Sequence, residues 1–155
     1  TERGPMARAA DAERGESWIQ EAASQGANIA CGGERDGAFM QPTIVLDAKP
    51  EMKVVKEELF GPGVAVSRAA TVEDAIRMAN DTSFGLSAGV FTQDIDAAVR
   101  FAREVHSGNI HINWGPLWRT DLMPYGGLKD SGIGKEGPKY AIEEMTEMKS
   151  VVIHS

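Results

Sequence analysis

Apolar positions recur along residues 6–25 at the spacing of one helix face, carried by Trp18, Ile19, Ala22 and Ala23, and Gly26 supplies a stop. Residues 28–31 read as a short strand that runs into the turn-rich stretch 32–37. The β-branched runs 43–46 and 64–66 predict two further strands. Thr71, with Asp74 three residues on, resembles a capping box for a helix whose face is Val72, Ala75, Ile76 and Ala79. Residues 89–91 predict a strand. Asp94 then caps a second helix with Ile95, Ala98, Val99 and Ala102 on one face. A strand over 109–113, a helix over 137–147 and a final strand over 150–154 complete the reading.

Strand and helix alternate from residue 64 to residue 113. That order implies an α/β fold: three layers, with a mostly parallel sheet between flanking helices and right-handed crossovers. Ligands of such sheets sit at the carboxyl ends of strands. The last strand is of another kind. Val151, Val152 and Ile153 are consecutive apolar residues on what would be an open edge, and pairing with another subunit would satisfy them.

The chain has 155 residues, enough for about one domain with a real core. No repeat, low-complexity tract or charge block marks a second one. A formal charge of −7 argues against nucleic acid and anionic membranes as partners. No run of about eighteen apolar residues could span a bilayer. The start at Thr1 suggests a fragment or a processed product. The single cysteine, Cys31, excludes an internal disulfide and fits a reducing compartment such as the cytoplasm. Placed between a strand and a turn, Cys31 reads as a small apolar filler and not as a nucleophile. His106, His111 and His154 are dispersed and show no metal-ligand spacing, so no metal is expected.

Residues 124–137, Pro-Tyr-Gly-Gly-Leu-Lys-Asp-Ser-Gly-Ile-Gly-Lys-Glu-Gly, hold five glycines in fourteen positions. Backbone of that kind approaches something closely or turns where a side chain would clash. A tyrosine, two lysines and two acids among the glycines are more than a linker needs. The run precedes an expected helix, so its amides could form part of a polar pocket.

Six segments carry a resemblance to the aldehyde dehydrogenase family. They are Thr1-Glu2-Arg3-Gly4-Pro5, Phe39-Met40-Gln41-Pro42-Thr43, Lys56-Glu57-Glu58-Leu59-Phe60-Gly61-Pro62, residues 80–91, residues 124–137, and Glu144-Met145-Thr146-Glu147-Met148-Lys149. Each is weak alone; six in register are strong. The resemblance spans essentially the whole chain and is to the C-terminal part of the family's catalytic domain. It implies an incomplete fold of that type, with residues 1–149 a portion of the catalytic domain and 150–155 a terminal oligomerisation strand. A homo-oligomer, dimer or tetramer, would follow.

The family oxidises an aldehyde with NAD or NADP through a thiohemiacetal on a cysteine, hydride transfer and thioester hydrolysis. Carried over by position, Glu58 matches the glutamate that binds the nicotinamide-ribose hydroxyls, and Phe60 the aromatic beside the nicotinamide. A carboxylate accepts two hydroxyls well, and a ring gives a flat apolar wall. Leu86 matches a residue near the nicotinamide and could equally be core. Glu136 matches a glutamate that relays protons toward the general base; a helix-start carboxylate is the plainer alternative. Tyr125 matches the aromatic at the mouth of the substrate tunnel. The tunnel loop is residues 114–121, with Trp114 and Trp118 as wall.

Arg119 in that loop would bind a carboxylate, phosphate or phosphonate through its fork, or else form an internal ion pair with Asp121 or another acid. The first alternative implies a short anionic aldehyde such as phosphonoacetaldehyde, lactaldehyde or a semialdehyde. The catalytic cysteine, general-base glutamate, oxyanion-hole asparagine and dinucleotide-binding domain of the family all match upstream of Thr1. Without a nucleophile the isolated chain is expected to be inactive. A free-standing, non-catalytic assembly domain derived from the family is the alternative.

Overall fold

The computed structural model describes residues 4–155, so Thr1, Glu2 and Arg3 of the first resembling segment lie outside the described residues. The chain divides at residue 70 into two units. In the first, helix α1 (Ala9–Ser24) is followed by β1 (Asn28–Cys31), the short hairpin β2 (Arg35–Asp36) and β3 (Phe39–Met40), and β4 (Thr43–Leu46). The single turn α2 (Lys53–Lys56) and β5 (Gly63–Val66) complete it. β1, β4 and β5 form one sheet in that order, with β1 antiparallel and β5 parallel to β4.

α1 lays Ala12, Ile19 and Ala22 against Met40, Val45, Ala48 and Met52, and these close the core of the unit. Ile19 and Ala22 belong to the face expected from sequence. Ala12 and Gly15 also lie on the buried stripe.

In the second unit, α3 (Val72–Asn80) leads through β6 (Phe84–Gly85) to β7 (Ser87–Val90). Helix α4 (Ile95–Glu104) then crosses to β8 (Asn109–Ile112), which runs parallel to β7. β9 (Leu128–Lys129) returns antiparallel to β6, and α5 (Pro138–Met145) follows. Both expected caps form. The Thr71 hydroxyl accepts from the Asp74 amide at 3.1 Å, and the Asp94 carboxylate from the amides of Asp96 and Ala97. Asn80 ties the two helix ends together: its amide donates to Glu104 O, and its oxygen accepts from the His106 N–H, each at 2.7 Å.

Two expectations change. β5 and β7 lie in separate ladders, so parallel crossovers occur twice, at β4–α2–β5 and β7–α4–β8, and not along one continuous sheet. α4 buries Ala98, as expected, together with Phe101, and Val105 is buried just past its end. Ile95, Val99 and Ala102 of the expected face point to solvent. Two apolar stripes compete on this helix, and the one bearing the aromatic ring wins because it removes more area from water. Among the described residues none pairs with 150–154, and Val151, Val152 and Ile153 are exposed, free for the pairing with another subunit that the sequence implies. Among the described residues no helix is long and apolar enough to cross a membrane.

Candidate functional site

The glycine run folds back on itself. Tyr125 and Glu136 exchange both backbone hydrogen bonds, Tyr125 N–H to Glu136 O at 3.2 Å and Glu136 N–H to Tyr125 O at 2.6 Å. The loop between them is tied internally as well. Lys135 Nζ donates to the carbonyls of Gly126 and Gly127, and its amide donates to Glu144 Oε1 at 3.0 Å. β9 fixes the near side of the loop to β6, and Lys129 Nζ donates to Asn80 O and Thr82 O, closing the C-terminus of α3.

This folding leaves a cleft of about 320 Å³ beside the loop, with Leu86, Tyr125, Lys135, Glu136 and Glu144 among its walls. Leu86 is 41% exposed, so it is not a core residue.

Arg119 is brought to the same place. Its Nη2 donates to Glu136 Oε2 at 3.0 Å, and its guanidinium carbon lies 4.4 Å from the centroid of the Tyr125 ring. The internal ion pair expected as one alternative therefore exists, with Glu136 as its acid and not Asp121. Three residues singled out from sequence thus converge: a cation, the aromatic face on which it stacks, and a carboxylate. All three remain accessible, with the Arg119 and Glu136 side chains 45% and 65% exposed.

The loop that carries Arg119 is anchored at its start. Asn113 adopts a left-handed conformation (φ 56°), and its side-chain oxygen accepts from the Thr92 N–H at 2.7 Å. Ser87 donates to Pro116 O at 2.8 Å. Trp114 and Trp118 are half or more exposed. Trp118 meets the ring of His111 edge to face, with centroids 6.4 Å apart at 84°. His111 is buried, and its Nε2 has no hydrogen-bond partner among the described residues. Sequence reading dismissed this histidine as isolated. The alternation Asn-Ile-His-Ile in β8, with Asn109 and His111 turned inward, was the signal that could have found it.

In the first unit, Glu58 and Phe60 follow α2. Lys53 at its start is paired with Glu21 of α1 at 2.7 Å. Leu59 turns inward and packs over Gly63 and Gly15. Phe60 turns outward: it is 75% exposed and adopts φ 49°, a left-handed conformation that bulky residues rarely take. An exposed ring held in an unfavourable conformation points to a function outside folding. Glu58 is exposed and makes no ion pair among the described residues, so both carboxylate oxygens are open to hydroxyl donors. Cys31, expected as buried filler, is exposed at the end of β1, its Sγ 3.7 Å from Pro42 O. A register shift in β1 between Ile29 and Cys31 disturbs the alternation that would have turned it inward. Among the described residues no group of three or more His, Cys, Asp or Glu could hold a metal.

Residues 1–151 match the sequence profile described as "Aldehyde dehydrogenase family". The chain is 49% identical over 154 residues to 3-sulfolactaldehyde dehydrogenase of Priestia aryabhattai, covering 99% of this chain and 32% of that protein. It superimposes on aldehyde dehydrogenase 21 of Physcomitrella patens, solved in complex with the reaction product succinate, with TM-score 0.89 and 40% identity, over 93% of this chain and 30% of that one. Against glyceraldehyde-3-phosphate dehydrogenase of Methanocaldococcus jannaschii, complexed with NADP, the TM-score is 0.90 at 38% identity, over 97% and 32%. The chain spans about one third of the length of these relatives.

Proposed function

Since the chain belongs to the aldehyde dehydrogenase family, we propose that it is part of an NAD- or NADP-dependent enzyme that oxidises a short anionic aldehyde to its carboxylate. The observation that carries this reading is the Arg119 guanidinium, stacked on Tyr125 at the edge of the cleft and accessible to solvent. A planar fork of donors suits a sulfonate, carboxylate or phosphate. The names of the three relatives above bear a sulfonate, a carboxylate product and a phosphate.

In this reading each residue has a definite task. Arg119 holds the charged end of the substrate, and Tyr125, Trp114 and Trp118 supply aromatic wall, so that the aldehyde end is presented in one orientation. Glu136 is the carboxylate through which a proton leaves toward water. A bound nicotinamide cofactor would supply the hydride acceptor. Glu58, with both oxygens open, would accept from its ribose hydroxyls. Phe60 would offer its exposed ring to the nicotinamide, and Leu86 would contribute an apolar surface from the second unit. The nucleophilic cysteine is not Cys31, whose Sγ contacts the Pro42 carbonyl and is hydrogen-bonded to no side-chain base among the described residues. It belongs to further polypeptide, as does most of the dinucleotide site. Residues 1–149 act as part of the catalytic domain, and residues 150–155 pair with another copy in a dimer or tetramer.

The test is an assay of NAD(P)H formation with a matched panel of aldehydes. The whole polypeptide containing this chain should turn over 3-sulfolactaldehyde, lactaldehyde or succinate semialdehyde at a higher kcat/KM than propionaldehyde. The 155-residue chain alone should form none. Activity in the isolated chain would overturn the assignment of the nucleophile. Equal kcat/KM for neutral and anionic aldehydes would overturn the assignment of the substrate.

A further inference from the structure

Arg119 serves in the reading above as the anion site, yet in the structure an anion already occupies it. We propose that Glu136 is an internal competitor for Arg119. Its carboxylate holds the guanidinium while no substrate is bound, and the charged end of the substrate displaces it on entry. This inference rests on the anionic-aldehyde reading.

Four features make the exchange feasible. The contact is a single one, Nη2 to Oε2 at 3.0 Å, so most of the five N–H donors of the fork remain available. The pair is exposed on both sides, which makes it a weak, readily exchanged contact. The guanidinium is held independently by the Tyr125 ring at 4.4 Å, so Arg119 keeps its place when its partner leaves. Glu136 is held by its backbone bridge to Tyr125, so only its side chain needs to turn, and the exposed space around it allows that.

The exchange sets specificity in two ways. A neutral aldehyde cannot open the pair, and leaves Arg119 and Glu136 neutralising each other. An anion with two or more oxygens engages the fork bidentately and so outcompetes a carboxylate bound through one contact. Displacement also sets free the carboxylate that the proton relay requires. Binding of the correct class of substrate thereby prepares the group that acts later.

The experiment uses the whole polypeptide and a non-reactive probe, propane-1-sulfonate, whose dissociation constant is read by calorimetry and as competitive inhibition. Glu136→Gln and Glu136→Ala should each tighten the sulfonate by about two- to five-fold, the size of an exposed ion pair. Neither variant touches the backbone bridge, so near-native circular dichroism is expected of both. Unchanged or weaker sulfonate binding in both variants would overturn the exchange. Arg119→Gln separates the two levels of the argument. If it abolishes sulfonate binding while the Glu136 variants fail to tighten it, only the exchange falls. If Arg119→Gln binds sulfonate as well as the native protein does, the anionic-aldehyde reading falls first.

Discussion

The backbone of Gly108, just before β8, runs directly against the carbonyl of Gly126. A Cβ placed on Gly108 would overlap Gly126 O and lie 2.8 Å from its carbonyl carbon. The glycine run is thus seated on the strand that precedes the tunnel loop, and only hydrogen atoms fit between them. Both partners are backbone, so neither can swing away. Gly108→Ala should destabilise the protein by about 2 kcal/mol or more, as overpacking of a rigid contact does. A lowered denaturant midpoint with an unchanged slope would check it.

Phe60 combines an unfavourable conformation with an exposed ring. Phe60→Gly relieves a left-handed cost of about 1–2 kcal/mol and returns roughly 0.5–1 kcal/mol in unfolded-state entropy. Stability should therefore hold or rise slightly, while the KM for NAD or NADP rises. A marked loss of stability in this variant would show that the ring serves the fold and not the cofactor.

The two caps are local and separable. Thr71→Ala and Asp94→Ala each leave amides at a helix start without a side-chain acceptor. Each should cost about 1 kcal/mol, and the double variant about their sum. Thermal unfolding of the single and double variants is the measurement.

Glu73, in the first turn of α3, is held below its ordinary value of 4.5, first by its own backbone N–H and then by the Arg100 guanidinium of α4. A depressed carboxylate stabilises the folded state above its unfolded value, and that contribution is lost as pH falls through the folded value. Native protein should therefore lose stability on acidification below about pH 4.5 more steeply than Glu73→Gln does. The two should differ most near neutrality and converge in acid. Parallel curves from pH 7 to pH 3 would exclude the linkage.

The parts of the protein that were legible in sequence share one property: their causes are local. Thr71 and Asp94 satisfy amides two or three residues away, so both helix starts could be read directly. The β-branched runs at 43–46 and 64–66 became β4 and β5 because alternation and branching act residue by residue. Leu86, Glu58, Phe60 and the glycine run could be singled out by resemblance, and the first three are exposed in the structure.

The parts that were not legible depend on which surfaces meet. Asp121, the acid nearest Arg119 in sequence, is not its partner. Glu136 is, because the bridge to Tyr125 brings residue 136 back beside the tunnel loop. On α4, Ile95 and Val99 are apolar yet exposed, and it is Phe101 that packs against β7 and β8. His111 looked isolated until β8 turned it under Trp118.

Residue chemistry and local patterning were therefore sufficient to specify α1, α3, α4 and α5, the main strands and the capping residues. Tertiary structure decided the pairing of strands into separate ladders, the buried face of α4 and the partner of Arg119. The division has a physical basis. Caps, turns and propensities are settled by interactions within a few residues, whereas ladder partners and ion pairs are chosen by competition among surfaces that meet only after the chain has folded.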